Sequence, residues 1–190
     1  IVYNNAAGAL NGTLGGVDPA TAPATGVTQS VGQSLLAKMA NGPVTVKFVL
    51  DKSMEMRQTF NITAETKTGD PNSVVMMGAH LDGVHDGPGI NDNGSGTASI
   101  LETAIQLGKA NKVNNKVRFA WWGAEELGLL GSEHYVYDLA ENNPAELAKI
   151  ATYLNYDMVA SPDYIIGVYD ANESPYTAPV DVPEGSSQIE

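Results

Sequence analysis

The chain has 190 residues, 43% of them hydrophobic, enough for one packed domain or one domain plus part of another, and too apolar for wholesale disorder. Twenty-two acidic against ten basic residues leave a formal net charge of −12, which argues against nucleic acid, whose phosphates it would repel, and gives no pull toward anionic membranes. There is no cysteine, so thiol catalysis and thiolate metal sites are excluded, and any bound metal must rely on His and carboxylates.

In chain order, Ile1–Tyr3 reads as a strand, followed by turns at Asn11-Gly12 and Gly15-Gly16. The segment Thr28–Met39 is expected to be a helix that Ser30 caps, with Val31, Leu35, Leu36 and Met39 on one face. Val44–Leu50 alternates as a strand would. Up to about residue 43 the composition is Gly, Ala, Thr and Asn, with Asp18 and Lys38 the sole charges. From about residue 53 the pattern becomes alternating strands and helices. Thr59–Thr66 is strand-like, and Val74–Ala79 is a continuous apolar run ending in His80. Thr97–Lys109 is an amphipathic helix and Val117–Trp122 a second buried strand. Helices are expected over Glu125–Leu139 and from Pro144 to Lys149, and a strand over Ala151–Tyr156 ending in Asp157. Such alternation implies right-handed crossovers and a mostly parallel sheet with helices on both faces, a three-layer α/β sandwich.

No apolar run approaches the ~20 residues of a membrane span. The chain starts at Ile1, inside an apolar run and without an initiator Met, as expected of a processed or internal piece. From Ile150 onward there are seven acidic residues and no Lys or Arg, and after Tyr169 Pro, Ser, Thr and Glu dominate. With three strong parallel strands, the α/β part is expected to be incomplete at its C-terminal side.

Three buried strands each lead to a potential metal donor: His80, the Glu125–Glu126 pair, and Asp157. Asp92 lies in the Gly-rich loop Gly87–Gly94 after the first of them. Sites in open α/β sheets form outside the carboxyl ends of the strands, so these groups converge on one edge. Catalytic zinc takes imidazole and carboxylate ligands and keeps a place for water, whose pKa it lowers toward neutrality. A carboxylate that is not a ligand can then act as proton carrier, and adjacent glutamates suit that division of labour. Singly, each residue has a plainer reading: a structural His at a strand end, an Asn-Asp-Asn-Gly turn, glutamates favoured at a helix start, a turn Asp. Together at one edge they favour a site. His134 reads as a surface or packing residue and His85 as lining the loop, not as ligands. His-Glu-x-x-His, Gly-x-Ser-x-Gly, the dinucleotide fingerprint and a phosphate loop do not occur. Asn-x-Ser/Thr sites occur at Asn11, Asn61, Asn93 and Asn172, and a glycan on Asn93 would block the edge.

Gly78-Ala79-His80-Leu81-Asp82, Gly89-Ile90-Asn91-Asp92-Asn93-Gly94-Ser95-Gly96, Phe119 to Gly128 and Leu154-Asn155-Tyr156-Asp157-Met158 resemble the co-catalytic two-zinc aminopeptidase family of secreted bacterial leucyl aminopeptidases and vacuolar aminopeptidase Y. The resemblance implies two Zn2+ ions that share a hydroxide, with Asp92 bridging them. His80 and Asp157 would hold one ion and Glu126 the other. Glu125 would be the general base, Asp82 would orient His80, and the Asp92–Asn93 bond is a candidate cis peptide. A fifth ligand of that family, a His beyond the last Asp, is not in this chain, since no His follows His134. The first residues resemble the second half of a protease-associated domain. The expected organisation is therefore residues 1–52 as the C-terminal part of that domain and 53–190 as the catalytic domain. The implied protein is a secreted or vacuolar monomer acting on peptides with a free N-terminus, with no nucleic-acid or membrane partner. Related members act as carboxypeptidases or dipeptidases, and the same fold occurs in metal-free receptor ectodomains. Retention of His80, Asp92, Glu125, Glu126 and Asp157 favours the hydrolase.

Overall fold

The structure is a computed structural model that describes residues 1–8, 10, 24–49, 51, 55–110, 112–165 and 167. The chain divides into two compact units, Ile1–Gln58 and Thr59–Glu190.

In the first unit, strands β1 (Val2–Tyr3) and β2 (Gly26–Val27) form a short parallel pair with Val2 opposite Gly26. Helix α1 (Gln29–Met39) follows directly. Its cap is Thr28, not Ser30: the extended backbone of Thr28 lets its side chain accept the N–H of Val31 at 3.4 Å. Residues 44–49, expected to be a strand, join no ladder among the described residues. Val46, Phe48 and Val49 are exposed, so alternation there has no buried face to select it. The turns expected at Asn11-Gly12 and Gly15-Gly16, and the acidic tail after Tyr169, lie outside the described residues.

The second unit is a four-stranded sheet in the order β3-β5-β4-β6, with β3 (Ile62–Glu65), β4 (Asp70–His80), β5 (Asn115–Trp122) and β6 (Ile150–Asn155). Strand β4 pairs in parallel with both β5 and β6, whereas β3 runs antiparallel to β5 at the edge. Helix α2 (Gly96–Lys109) makes the crossover from β4 to β5. Helices α3 (Leu130–Asn142) and α4 (Pro144–Leu147) carry the chain from β5 to β6 on the far side of β4. The crossover from β4 to β5 and the one from β5 back past β4 to β6 run in opposite directions across the sheet, and right-handed crossovers of that kind put their helices on opposite faces.

Strand alternation shows the same thing in side chains. Met77, Ala79, Val117, Phe119 and Trp121 pack with Ile100 of α2, while Met76, Ala120 and Trp122 pack toward Tyr135 of α3. Phe119, Ile100 and Val74 are the largest fully buried side chains, each contributing about 1.5–3 kcal/mol by burial. Arg118 is buried on the α3 side. Burial opposes its charge, but Glu146, Glu65 and the Tyr135 hydroxyl more than offset this and hold its pKa above the ordinary arginine value. Its Nε meets Glu65 Oε1 at 2.6 Å and its Nη1 meets Tyr135 Oη at 2.8 Å, tying β5 to β3 and α3.

The helix expected from Glu125 instead begins at Leu130. Ala124, Gly128 and Leu129 have φ of 55°, 105° and 59°, and left-handed residues cannot sit inside a right-handed helix. The glutamate pair therefore lies in a turn between β5 and α3, and a helix N-terminus does not favour its charge. Among the described residues no helix is long and apolar enough to cross a membrane.

Candidate metal centre

The connections leaving the neighbouring strands β4 and β5 run in opposite directions across the sheet, so their carboxyl ends form a topological switch point, where a crevice opens between diverging connections. His80 is the last residue of β4, and its carbonyl accepts the Thr97 hydroxyl of α2 at 2.7 Å. Asp157 lies two residues past β6, with Tyr156 N–H bonded to the Gly78 carbonyl at 2.8 Å. The loop between β4 and α2 supplies Asp82 and Asp92, and the turn after β5 supplies Glu125 and Glu126.

His80 is 3% exposed, and its Nδ1 stands 2.9 Å from the Asp82 carbonyl oxygen. A carbonyl can only accept, so Nδ1 carries a hydrogen, and in the neutral ring Nε2 is the nitrogen left with a lone pair. Nε2 faces Asp92 Oδ1 at 3.0 Å, Asp157 Oδ1 at 3.6 Å and Glu125 Oε2 at 3.8 Å. Although Asp92 is that close, Nε2 makes no hydrogen bond of acceptable geometry, and neither does the buried Glu126 Oε1. A lone pair aimed at several anionic oxygens is repulsive unless positive charge sits among them. Burial works against charge on His80, yet Asp157, the Asp82 carbonyl, Glu125 and the Asp82 carboxylate together raise its pKa. The local field thus favours a cation, and the donors are those zinc prefers. Donor atoms of His80, Asp92 and Asp157 lie within 4.8 Å of one another, as do those of His80, Glu125 and Glu126. The residues present fit a metal centre.

Burial pushes the Glu125 carboxyl above the ordinary carboxylate pKa. His80 opposes the shift, and Glu126, Asp157 and Asp82 add to it. A cavity of about 500 Å³, walled by Met76, Trp122, Leu129 and Tyr153, opens beside His80, Glu125 and Asp157. Such apolar walls strengthen electrostatic interactions by lowering the local dielectric.

Asp82 reaches the site in two ways. Its carbonyl takes the His80 ring N–H, while its carboxylate accepts the Glu125 N–H at 2.9 Å and the Glu126 N–H at 3.1 Å. The nearer carboxylate oxygen is 3.7 Å from His80 Nδ1, so the imidazole is oriented by the Asp82 backbone. The Asp92–Asn93 peptide is cis, as expected. His85 and His134 belong to neither donor group, and His134 lines a separate cleft with Thr59, Phe60 and Asp138.

Three asparagines escape a reading of the sequence. The Asn93 side chain is buried, donates to the Tyr156 carbonyl at 2.8 Å and accepts the Gly96 N–H at 3.0 Å. It therefore joins the Asp92 loop to the segment carrying Asp157, and both of its amide atoms are engaged. Asn91 Nδ2 donates to Ser161 Oγ at 2.9 Å and its Oδ1 accepts the Ala160 N–H at 3.2 Å, closing the same seam. Asn61 brackets the glutamate turn. The sequence marks Asn61 and Asn93 as glycosylation signals; their position just before a strand and just after an acidic loop residue was the remaining clue.

Residues 61–182 match the model of peptidase family M28. The chain is 50% identical over 190 residues to leucine aminopeptidase 2 of Arthroderma otae, covering 100% of this chain and 37% of that protein. Among solved structures it resembles an aminopeptidase from Aneurinibacillus sp. strain AM-1, with TM-score 0.69, 34% identity, and coverage of 85% of this chain and 40% of that one. It also resembles BSAP, a zinc aminopeptidase from Bacillus subtilis, with TM-score 0.59, 31% identity, and coverage of 83% and 37%. The chain thus spans little more than a third of the length of these relatives. On the matched span and its identities, the chain belongs to peptidase family M28.

Proposed function

We propose that the polypeptide of which this chain is part is a secreted or vacuolar two-zinc aminopeptidase, releasing the N-terminal residue of peptides. The observation that carries this reading is the buried His80 Nε2, which has no hydrogen-bond partner and faces Asp92, Asp157 and Glu125. In this reading His80, Asp92 and Asp157 would hold one ion, and Glu126, with Asp92, would hold the other. Bound zinc supplies Lewis acidity, which acidifies water and polarises the scissile carbonyl.

The remaining work belongs to side chains. Glu125, desolvated and among like charges, is a better base than an exposed carboxylate, suited to taking a proton from water and returning it to the leaving amine. The partly exposed carboxylates of Asp92 and Asp157 give the substrate's free ammonium group an anionic seat. Asp82 keeps Glu125 and Glu126 at fixed reach by holding their N–H groups. Carboxypeptidase or dipeptidase activity, or metal-free binding, is the alternative. The His80 geometry favours metal over a metal-free binder.

The full-length protein should hydrolyse a leucyl anilide with a free amino group, lose this activity to a chelator and recover it with added zinc. The N-acetylated anilide should not be cleaved. Chelator-resistant turnover, or equal turnover of the acetylated substrate, would contradict the proposal.

A further inference from the structure

The turn that carries Glu125 and Glu126 is held at two levels, and its outer level rests on one side chain from the edge strand. The pairing of Ile62 with Trp121 in antiparallel register puts the preceding residue, Asn61, beside the end of β5. There Asn61 Oδ1 accepts the Gly123 N–H at 3.1 Å and its Nδ2 donates to the Gly131 carbonyl at 2.7 Å. Gly123 and Gly131 are the two ends of the glutamate turn, so this amide closes the neck of the loop. The neck is tight: a Cβ on Gly131 would lie 2.3 Å from the Gly123 carbonyl oxygen and 2.4 Å from Asn61 Oδ1.

Inside the neck the backbone takes conformations that L-residues disfavour, with Ala124 at φ 55° and Leu129 at φ 59°. Such residues persist where their surroundings over-determine them. Internal bonds from Gly128 and Leu129 N–H to the Glu125 carbonyl, both 2.8 Å, and from Leu130 N–H to the Ala124 carbonyl at 3.1 Å curl the turn and close it on itself but do not fix its position on the sheet. Asp82 holds the tip through the Glu125 and Glu126 N–H groups, and Asn61 holds the base. Two anchors fix where a loop lies; one leaves it free to pivot.

We propose that Asn61 is a positioning residue for the Glu125–Glu126 pair, acting through the neck of the turn without touching substrate or metal. The inference rests on the roles proposed above for those glutamates. Displacement of a catalytic group by about 1 Å costs on the order of 10²-fold. Asn61→Ala in the full-length enzyme removes both bonds, whereas Asn61→Asp keeps the acceptor for Gly123 and sets an anion against the Gly131 carbonyl.

The test measures kcat and KM on a leucyl anilide well below the melting temperature, with the visible absorption spectrum of the cobalt(II)-substituted protein. Asn61→Ala should lower kcat by about tenfold or more with KM changed by less than about threefold, and should alter the cobalt bands as Glu126 moves. Asn61→Asp should fall in the same direction, and decides by the same readouts if the alanine variant does not fold. A variant with a lower melting temperature but wild-type kcat and cobalt spectrum would overturn the proposal and leave Asn61 a purely structural residue. Glu125→Gln measured alongside separates the two levels. If it abolishes turnover while Asn61→Ala leaves kcat unchanged, the positioning claim fails alone; if Glu125→Gln is active, the reading of the glutamates fails.

Discussion

Glu125→Gln in the full-length protein should lower kcat by about 10²–10⁴-fold, the range supplied by a positioned general base, without reducing its zinc content. Gln keeps the size and planar shape of the side chain. The backbone N–H of residue 125 still donates to Asp82, so the turn stays in place. What disappears is the ability to accept and return a proton. The substitution should not weaken the fold. Burial raises the Glu125 pKa, with Glu126, Asp157 and Asp82 adding to the shift and His80 opposing it, so ionisation of this group costs folding free energy as pH rises through the carboxylate range, and neutral Gln removes that net cost. The metal-free variant should therefore melt no lower than metal-free wild type. Since Glu125 also belongs to the donor group of His80 and Glu126, the experiment discriminates: loss of one equivalent of zinc would make Glu125 a ligand, and undiminished kcat would remove it from the base role.

Gly96→Ala is the second large effect, and it tests the seam between the two aspartates. A Cβ at residue 96 would lie 2.1 Å from the Tyr156 carbonyl oxygen and 2.3 Å from Asn93 Oδ1. Neither neighbour is a flexible side-chain end. The first is backbone immediately before Asp157, and the second belongs to a buried amide bonded on both sides. The methyl group must push the start of α2 away from the Asp157 segment. Overpacking of this kind costs about 1–3 kcal/mol, and losing the Asn93 bonds adds about 1 kcal/mol each. Because Asp92 sits on one side of the seam and Asp157 on the other, zinc affinity measured by chelator competition should fall at least about tenfold, in the range seen when groups supporting metal ligands are lost. Wild-type zinc affinity and melting temperature in Gly96→Ala would show that the close approach is not needed.

Much of the site was legible because of how a parallel sheet writes itself in sequence. Strands covered on both faces appear as unbroken apolar runs, and the residue that ends a run, as His80 ends Val74–Ala79, stands at the edge where sites form. Asp92 and Asp157 follow from the same rule. The direction of β3 was not legible, since period-two alternation is identical in parallel and antiparallel strands. The setting of Glu125 and Glu126 was misread for a different reason. Glu, Leu and Ala all favour helix, whereas the turn holding the left-handed Ala124 and Leu129 is tied down by tertiary bonds from Glu125 to Asp82 and from Gly123 to Asn61, 43 and 62 residues away in sequence. The asparagine bridges were hidden for the same reason. An amide that both donates and accepts looks no different in sequence from one exposed on a loop, and Asn93 is 63 residues away from the Tyr156 carbonyl it bonds.

The most direct measurement is anomalous diffraction at the zinc edge from crystals of the full-length protein. Two peaks should flank the Asp92 carboxylate, one within bonding distance of His80 Nε2 and an Asp157 oxygen, the other next to Glu126, with Glu125 bonded to neither. A single peak, peaks away from His80, or a Glu125 oxygen at bonding distance from either ion would contradict the assignment.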